Sequence, residues 1–204
     1  MCISFEASMV AYTVGVVSGA LLFFQNKPVF KVFGLFIIFY SHIQLLEGLI
    51  YKNNIILWSK LLLVNLSLQG FLFFGLLKYY NLENSLFTNT NINILLGVTF
   101  LIALYGINKS IFLKETEKPS VCNSGIYWPF EQKFLALMYL LIFSNLLITK
   151  NNFIFYVGIF FLITYVLSKI ISTMNVFENT PGLWCWFSAI TAPAVYYLSR
   201  VTKI

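Results

Sequence analysis

Seven blocks of about 20 residues, each apolar all the way round a helix, are the feature that most limits what this chain can become. They run over 6–24, 29–50, 55–79, 92–113, 130–148, 153–172 and 182–199. A helix rises about 1.5 Å per residue, so each block matches the roughly 30 Å of hydrocarbon in a bilayer. The breaks between blocks hold the residues that stop helices or need water: Gln25-Asn26-Lys27-Pro28, Lys52-Asn53-Asn54, Lys150-Asn151-Asn152 and Pro181. Most breaks are short, so consecutive helices are expected to be antiparallel neighbours. The expected fold is all-α, a single transmembrane bundle of about seven helices over residues 1–204, with the lipid bilayer as its main partner.

Composition closes the soluble alternative. Only 10% of the 204 residues are charged and 59% are hydrophobic, with mean hydropathy +0.83. A soluble domain of this size needs about a quarter of its residues charged. The net charge of +6 does not point to nucleic acid, because the basic residues are scattered at block ends and form no cluster. The first block is too long for a signal-peptide core and is followed by Gln25 to Pro28 instead of a small-residue cleavage site, so it reads as a retained span. No internal repeat suggests an inverted-repeat transporter.

Lysine placement sets the expected orientation. One side carries Lys27, Lys31, Lys78, Lys150, Arg200 and Lys203. The other carries Lys52, Lys114, Lys118 and Lys133, diluted by Glu115, Glu117 and Glu131. This bias puts the C-terminus in the cytoplasm and the N-terminus outside. Cys2, Cys122 and Cys185 then fall on or near the outer side. Two readings stand for them, a disulfide between two of the three or unpaired thiols with Cys185 packed in the last helix.

Polar side chains inside the blocks carry the functional information, since each costs energy in lipid unless it faces the bundle or a wet cavity. Alternating helix direction collects them at one level. Glu6, Lys60 and Trp184 lie in the outer parts of helices that start outside; Glu47, Asn108, Lys109 and Lys169 lie in the outer parts of helices that end there. Tyr40, Gln44, Glu47 and Tyr51 are spaced to share one face of the second helix. Trp58, Leu62, Asn65 and Gln69 share a face of the third, and Trp184, Ser188 and Thr191 a face of the seventh. His42 lies off the Gln44/Glu47 stripe. The expectation is an outward-facing polar cavity floored by Asn65, Gln69 and His42, with Lys60 the nearest partner for Glu47. The bland reading gives Lys60, Lys109 and Lys169 to snorkelling, and Asn65 and Gln69 to interhelical hydrogen bonding.

Several chemistries are excluded. A retinal pigment needs a lysine midway along the last helix, where this chain has Ser188 and Thr191. One histidine and no aspartate leave too few ligands for an intramembrane metallohydrolase. No glycine-rich phosphate loop is present, and no cofactor is called for. Three functions stay open. The first is a gated channel or carrier for an ion or small polar solute; the others are a receptor for a ligand in the outer cavity and an intramembrane enzyme using Glu47 or Glu6. Assembly of several copies would add a pore that one chain lacks.

The opening Met1-Cys2-Ile3-Ser4-Phe5-Glu6-Ala7-Ser8 resembles the start of a family of small seven-span membrane proteins of bacteria and large DNA viruses, which begins Met-Cys-x-Ser-x-Glu-Ala-Ser. Glu47, Gln69 followed by Phe71, and Pro181-Gly182-Leu183-Trp184-Cys185 with Ser188 are similar too. The chain departs from that pattern at Asn65 and near Tyr127-Trp128, where the family has histidines. The resemblance implies seven spans and supplies no activity. Any family chemistry that needs those histidines is changed or lost in this chain.

Overall fold

The computed structural model describes residues 4–82, 92–117, 120–122, 125–127, 140–142, 145–147, 149, 151–173 and 180–202. Its long helices are α1 (Phe5–Phe23), α2 (Pro28–Lys52), α3 (Ile56–Tyr79), α4 (Ile92–Ile111), α5 (Asn152–Thr173) and α6 (Thr180–Val201). Residues 140–142 and 145–147, inside the expected fifth span, are helical; the rest of that span lies outside the described residues. The α1–α4 helices are each long and apolar enough to cross a membrane. The chain is a membrane protein.

Local chemistry sets the helix ends. Ser4 caps α1, its hydroxyl accepting from the Ala7 amide at 3.2 Å. Pro28 opens α2, where a missing amide hydrogen costs nothing. At the end of α3, Asn81 takes a left-handed conformation (φ 53°), while the Leu82 amide bonds the Leu77 carbonyl and the Asn81 amide that of Lys78. Asn151 caps α5 by accepting from the Ile154 amide at 3.2 Å. Between α4 and the expected fifth span, where the sequence suggests only a long connection, residues Glu115–Glu117 make a 3₁₀ turn. An antiparallel hairpin follows, pairing β1 (Ser120–Cys122) with β2 (Gly125–Tyr127).

On α1 and α4 packing follows the membrane pattern, with small side chains inside and large apolar ones outside. On α1 the buried face is Ser8, Ala11, Gly15, Ser18, Gly19 and Leu22, while Val10, Val14, Val17 and Leu21 are exposed. Gly34, Ser41 and Gly48, seven residues apart on α2, meet this face against Gly19, Gly15 and Ser8. The α3–α4 contact repeats the device with Gly106 against Ser67. On α4 the inward residues Thr99 and Ala103 are buried, whereas Ile94 is 63% and Leu101 65% exposed. Inward hydroxyls bond their own helix, as Ser41 does to the Ile37 carbonyl (2.7 Å) and Thr99 to that of Leu95 (2.8 Å). Exposed apolar stripes of this size suit acyl chains and not water.

The contacts also give helix direction. Ser8 meets Gly48 and Gly34 meets Gly19, so α1 and α2 are antiparallel. Asn65 meets Phe39 and Phe73 meets Phe33, so α3 runs against α2. Lys60 meets Ile111 and Phe71 meets Phe100, so α4 runs against α3. At the opposite end of the molecule, Phe153 at the start of α5 packs on Phe30 near the start of α2 (5.1 Å between ring centroids). There too, Gln25 after α1 donates to Ser199 near the end of α6 (2.8 Å).

Candidate functional site

The polar face of α2 is the centre of the candidate site. α2 turns Gly34, Ser41 and Gly48 to α1, and Phe36 and Phe39 toward α3. Tyr40, Gln44, Glu47 and Tyr51, spaced four, three and four residues, continue the side of α2 that carries Phe36. Gln44 is 2% and Glu47 1% exposed, so an amide and a carboxylate stand inside an apolar span. Part of the stripe lines a small cleft of about 10 Å³, room for about one water, between α1, α2, α5 and α6. Tyr40, Ser41, Gln44 and Thr191 give it hydroxyl and amide groups; Ala11, Phe36, Ile37, Phe161 and Ala192 form its apolar walls. Such a cleft offers hydrogen bonds and no charge of its own, with the Glu47 carboxylate one helical turn further along the stripe.

On α3, Asn65 and Gln69 are buried and joined. Gln69 Nε2 donates to Asn65 Oδ1 at 3.2 Å, and Asn65 Nδ2 donates to the Phe39 carbonyl of α2 at 3.4 Å. This pair links α2 to α3 at mid-span. At the start of α3, Trp58 Nε1 and Ser59 Oγ are buried with no hydrogen-bond partner. Neither stands out in the sequence as unsatisfied, because helical serines usually bond their own backbone.

The other candidate residues take different places. His42 is half-buried; its Nδ1 lies 2.8 Å from the Ile38 carbonyl, a contact that requires the proton on Nδ1. Its ring meets Tyr12 edge-on at 5.5 Å, so it belongs to the α1 side and not to the stripe. Lys60 does not reach for Glu47. Its ammonium donates to the Ile111 carbonyl (3.2 Å), capping the last turn of α4, where cations are favoured. Lys109 is half-buried and Asn108 exposed on the outer face of α4. Glu6 is exposed in the first turn of α1. At the same end, Lys52 sits over the Phe5 ring, 5.4 Å from its centroid. The structure therefore joins Gln44 and Glu47 on one helix and Asn65 and Gln69 on the next, and leaves Glu6, Asn108 and Lys60 outside that group.

The side chains of Lys169, Trp184 and Ser188, and of Cys122 and Cys185, lie outside the described residues, as does Cys2 altogether. Among the described residues no three His, Cys, Asp or Glu side chains gather as a metal site would require. Six cleft residues, Ala11, Phe36, Ile37, Ser41, Phe161 and Ala192, do not stand out in the sequence. For Ala11 and Ser41 the one signal is that small side chains recur along α1 and α2 at helical spacing. Comparisons with protein-family models, with curated proteins and with solved structures give no match.

Proposed function

We propose that this chain is a seven-span membrane protein that moves an ion or small polar solute, as a gated channel or carrier, with its N-terminus outside. Connectivity supports the span count. α4 ends beside the start of α3, and α5 starts beside the start of α2, at the other end of the molecule. The chain between Ile111 and Asn152 has to travel from one end to the other, and one further crossing does this. The lysine bias toward the end where α2 begins supports the orientation.

The observation that carries the functional reading is Glu47, 1% exposed within the span α2 and one turn beyond Gln44 of the cleft. An ionisable group inside a span costs several kcal/mol and marks solute or proton pathways in membrane proteins. Purified protein in liposomes, assayed for ion and proton flux across pH, tests the reading. Flux that is present in the parent and abolished by Glu47→Gln is the expected result. Flux unaffected by that substitution, or absent from the parent under every gradient, refutes it.

A further inference from the structure

Below the polar stripe, the same side of α2 changes chemistry within two turns. Phe30, Phe33 and Phe36 replace hydroxyl and amide groups, and they meet Phe73 of α3, itself against Phe74, and Phe153 of α5. Phe33 touches Phe73 (5.9 Å between centroids) and Phe153 (5.5 Å); Phe36 touches Phe73 (5.0 Å), and Phe73 touches Phe74 (5.4 Å). All six rings are between 0% and 5% exposed. From Phe30 to Phe36 the helix rises about 9 Å, so the knot is several water diameters thick. Phe36 also stacks on Tyr40 (6.2 Å, 28°), so the knot begins where the cleft ends.

We propose that this aromatic knot is the gate, closing the small polar cleft toward the membrane face at which α2 begins. The inference rests on the transport reading above and names the residues that control access to its site. A constriction lined only by phenyl rings holds no continuous water column, because nothing there replaces the hydrogen bonds that water would lose. The three helices it joins belong to different parts of the chain, so separating α5 from α2 and α3 would part the rings. The polar stripe stays on α2 throughout that motion. Ordinary core packing has the same static appearance and differs in what truncation does to access.

The test is labelling of a single thiol in vesicles of defined sidedness. Cys2, Cys122 and Cys185 are replaced by serine, Gln44→Cys supplies the reporter, and a membrane-impermeant thiol reagent is added at the face where α2 begins. With the rings intact the thiol is protected from that face. In Phe33→Ala/Phe73→Ala its rate of modification rises by about tenfold or more as water enters. Phe153→Ala, on a different helix, gives the same result and serves where the double variant is not monodisperse. Phe71→Ala, which removes the Phe71–Phe100 pair on the α3–α4 side, leaves protection unchanged.

Protection that survives the truncations overturns the gate, and so does an equal rise with Phe71→Ala. A thiol that reacts from that face before any truncation, or that stays unreactive from both faces in every variant, overturns it as well. Labelling is independent of what is carried. The expected pattern in a protein that shows no flux would leave the gate as the seal of a one-sided binding pocket and remove transport alone.

Discussion

Replacing Gly34 with alanine puts a methyl group where α1 and α2 touch backbone to backbone. An ideal Cβ there stands 2.6 Å from the Gly19 carbonyl oxygen, 2.6 Å from the Phe23 nitrogen and 2.9 Å from the Phe23 Cα. These are main-chain atoms of α1 and cannot rotate aside, so the helix itself must move. Overpacking of one methyl costs about 1–3 kcal/mol, and a contact with fixed backbone belongs at the upper end, about 3 kcal/mol. A chain of this size loses about 2–4 °C of Tm per kcal/mol, which gives a fall of about 6–12 °C. Thermal unfolding of the purified protein in detergent, followed by helical circular dichroism, measures it. Gly97→Ala is the control, because a Cβ at Gly97 has nothing within 4 Å. There the better helix propensity of alanine, up to about 1 kcal/mol, leaves Tm unchanged or raised. A Gly34→Ala protein that melts with its parent would refute the close approach of α1 and α2 on which the whole frame is built.

Two further predictions concern single hydrogen bonds, beside the tests of Glu47 and of the aromatic knot given above. Ser4→Ala removes the cap on the Ala7 amide, costs about 1 kcal/mol, and speeds hydrogen exchange in the first turn of α1 by about fivefold. Unchanged exchange there counts against the cap. Asn65→Ala destabilises by about 1–2 kcal/mol, since it takes an acceptor from Gln69 and a donor from the Phe39 carbonyl. The double variant Asn65→Ala/Gln69→Leu is less destabilised than the two single changes summed, by about 1 kcal/mol in Tm-derived stability; strict additivity would mean that the pair does not act as one unit.

Much of the frame is legible in the sequence because the bilayer fixes both the length and the composition of a span. Pro28 opens the second apolar block and Lys52, Asn53 and Asn54 end it, and the helix ends fall within one or two residues of those signals. The stripe Tyr40, Gln44, Glu47 and Tyr51 is legible for the same reason, since helical spacing alone puts it on one face. Other features depend on distances that spacing does not carry. Lys60 has a long flexible side chain, and whether it meets Glu47 or the end of α4 depends on how α3 and α4 pack, a contact made by Gly106 and Ser67. His42 is drawn to its own helix by a carbonyl four residues back, a bond open to any helical position. The hairpin of Ser120–Cys122 and Gly125–Tyr127 has strands too short for alternation to register. The aromatic knot is hidden because phenylalanines are spread through nearly every block, and only the fold shows which of them meet.

The stripe on α2 also bears on why a polar site is present at all. Phe33, Phe36, Tyr40, Gln44, Glu47 and Tyr51 follow one another at helical spacing along one side of a single helix. A purely structural helix would gain from carrying phenylalanine or leucine all the way, because well-packed apolar side chains are often as stable as buried polar ones or more so. Each polar group in the half toward Tyr51 therefore sacrifices stability, the carboxylate of Glu47 most of all. The half of the same side toward Pro28 carries none. Packing demands on the two halves are alike, since Phe33 at 1% and Glu47 at 1% are equally buried. What differs is chemistry, a difference that packing does not require and that the proposed passage of a solute, met in one half and stopped in the other, would account for.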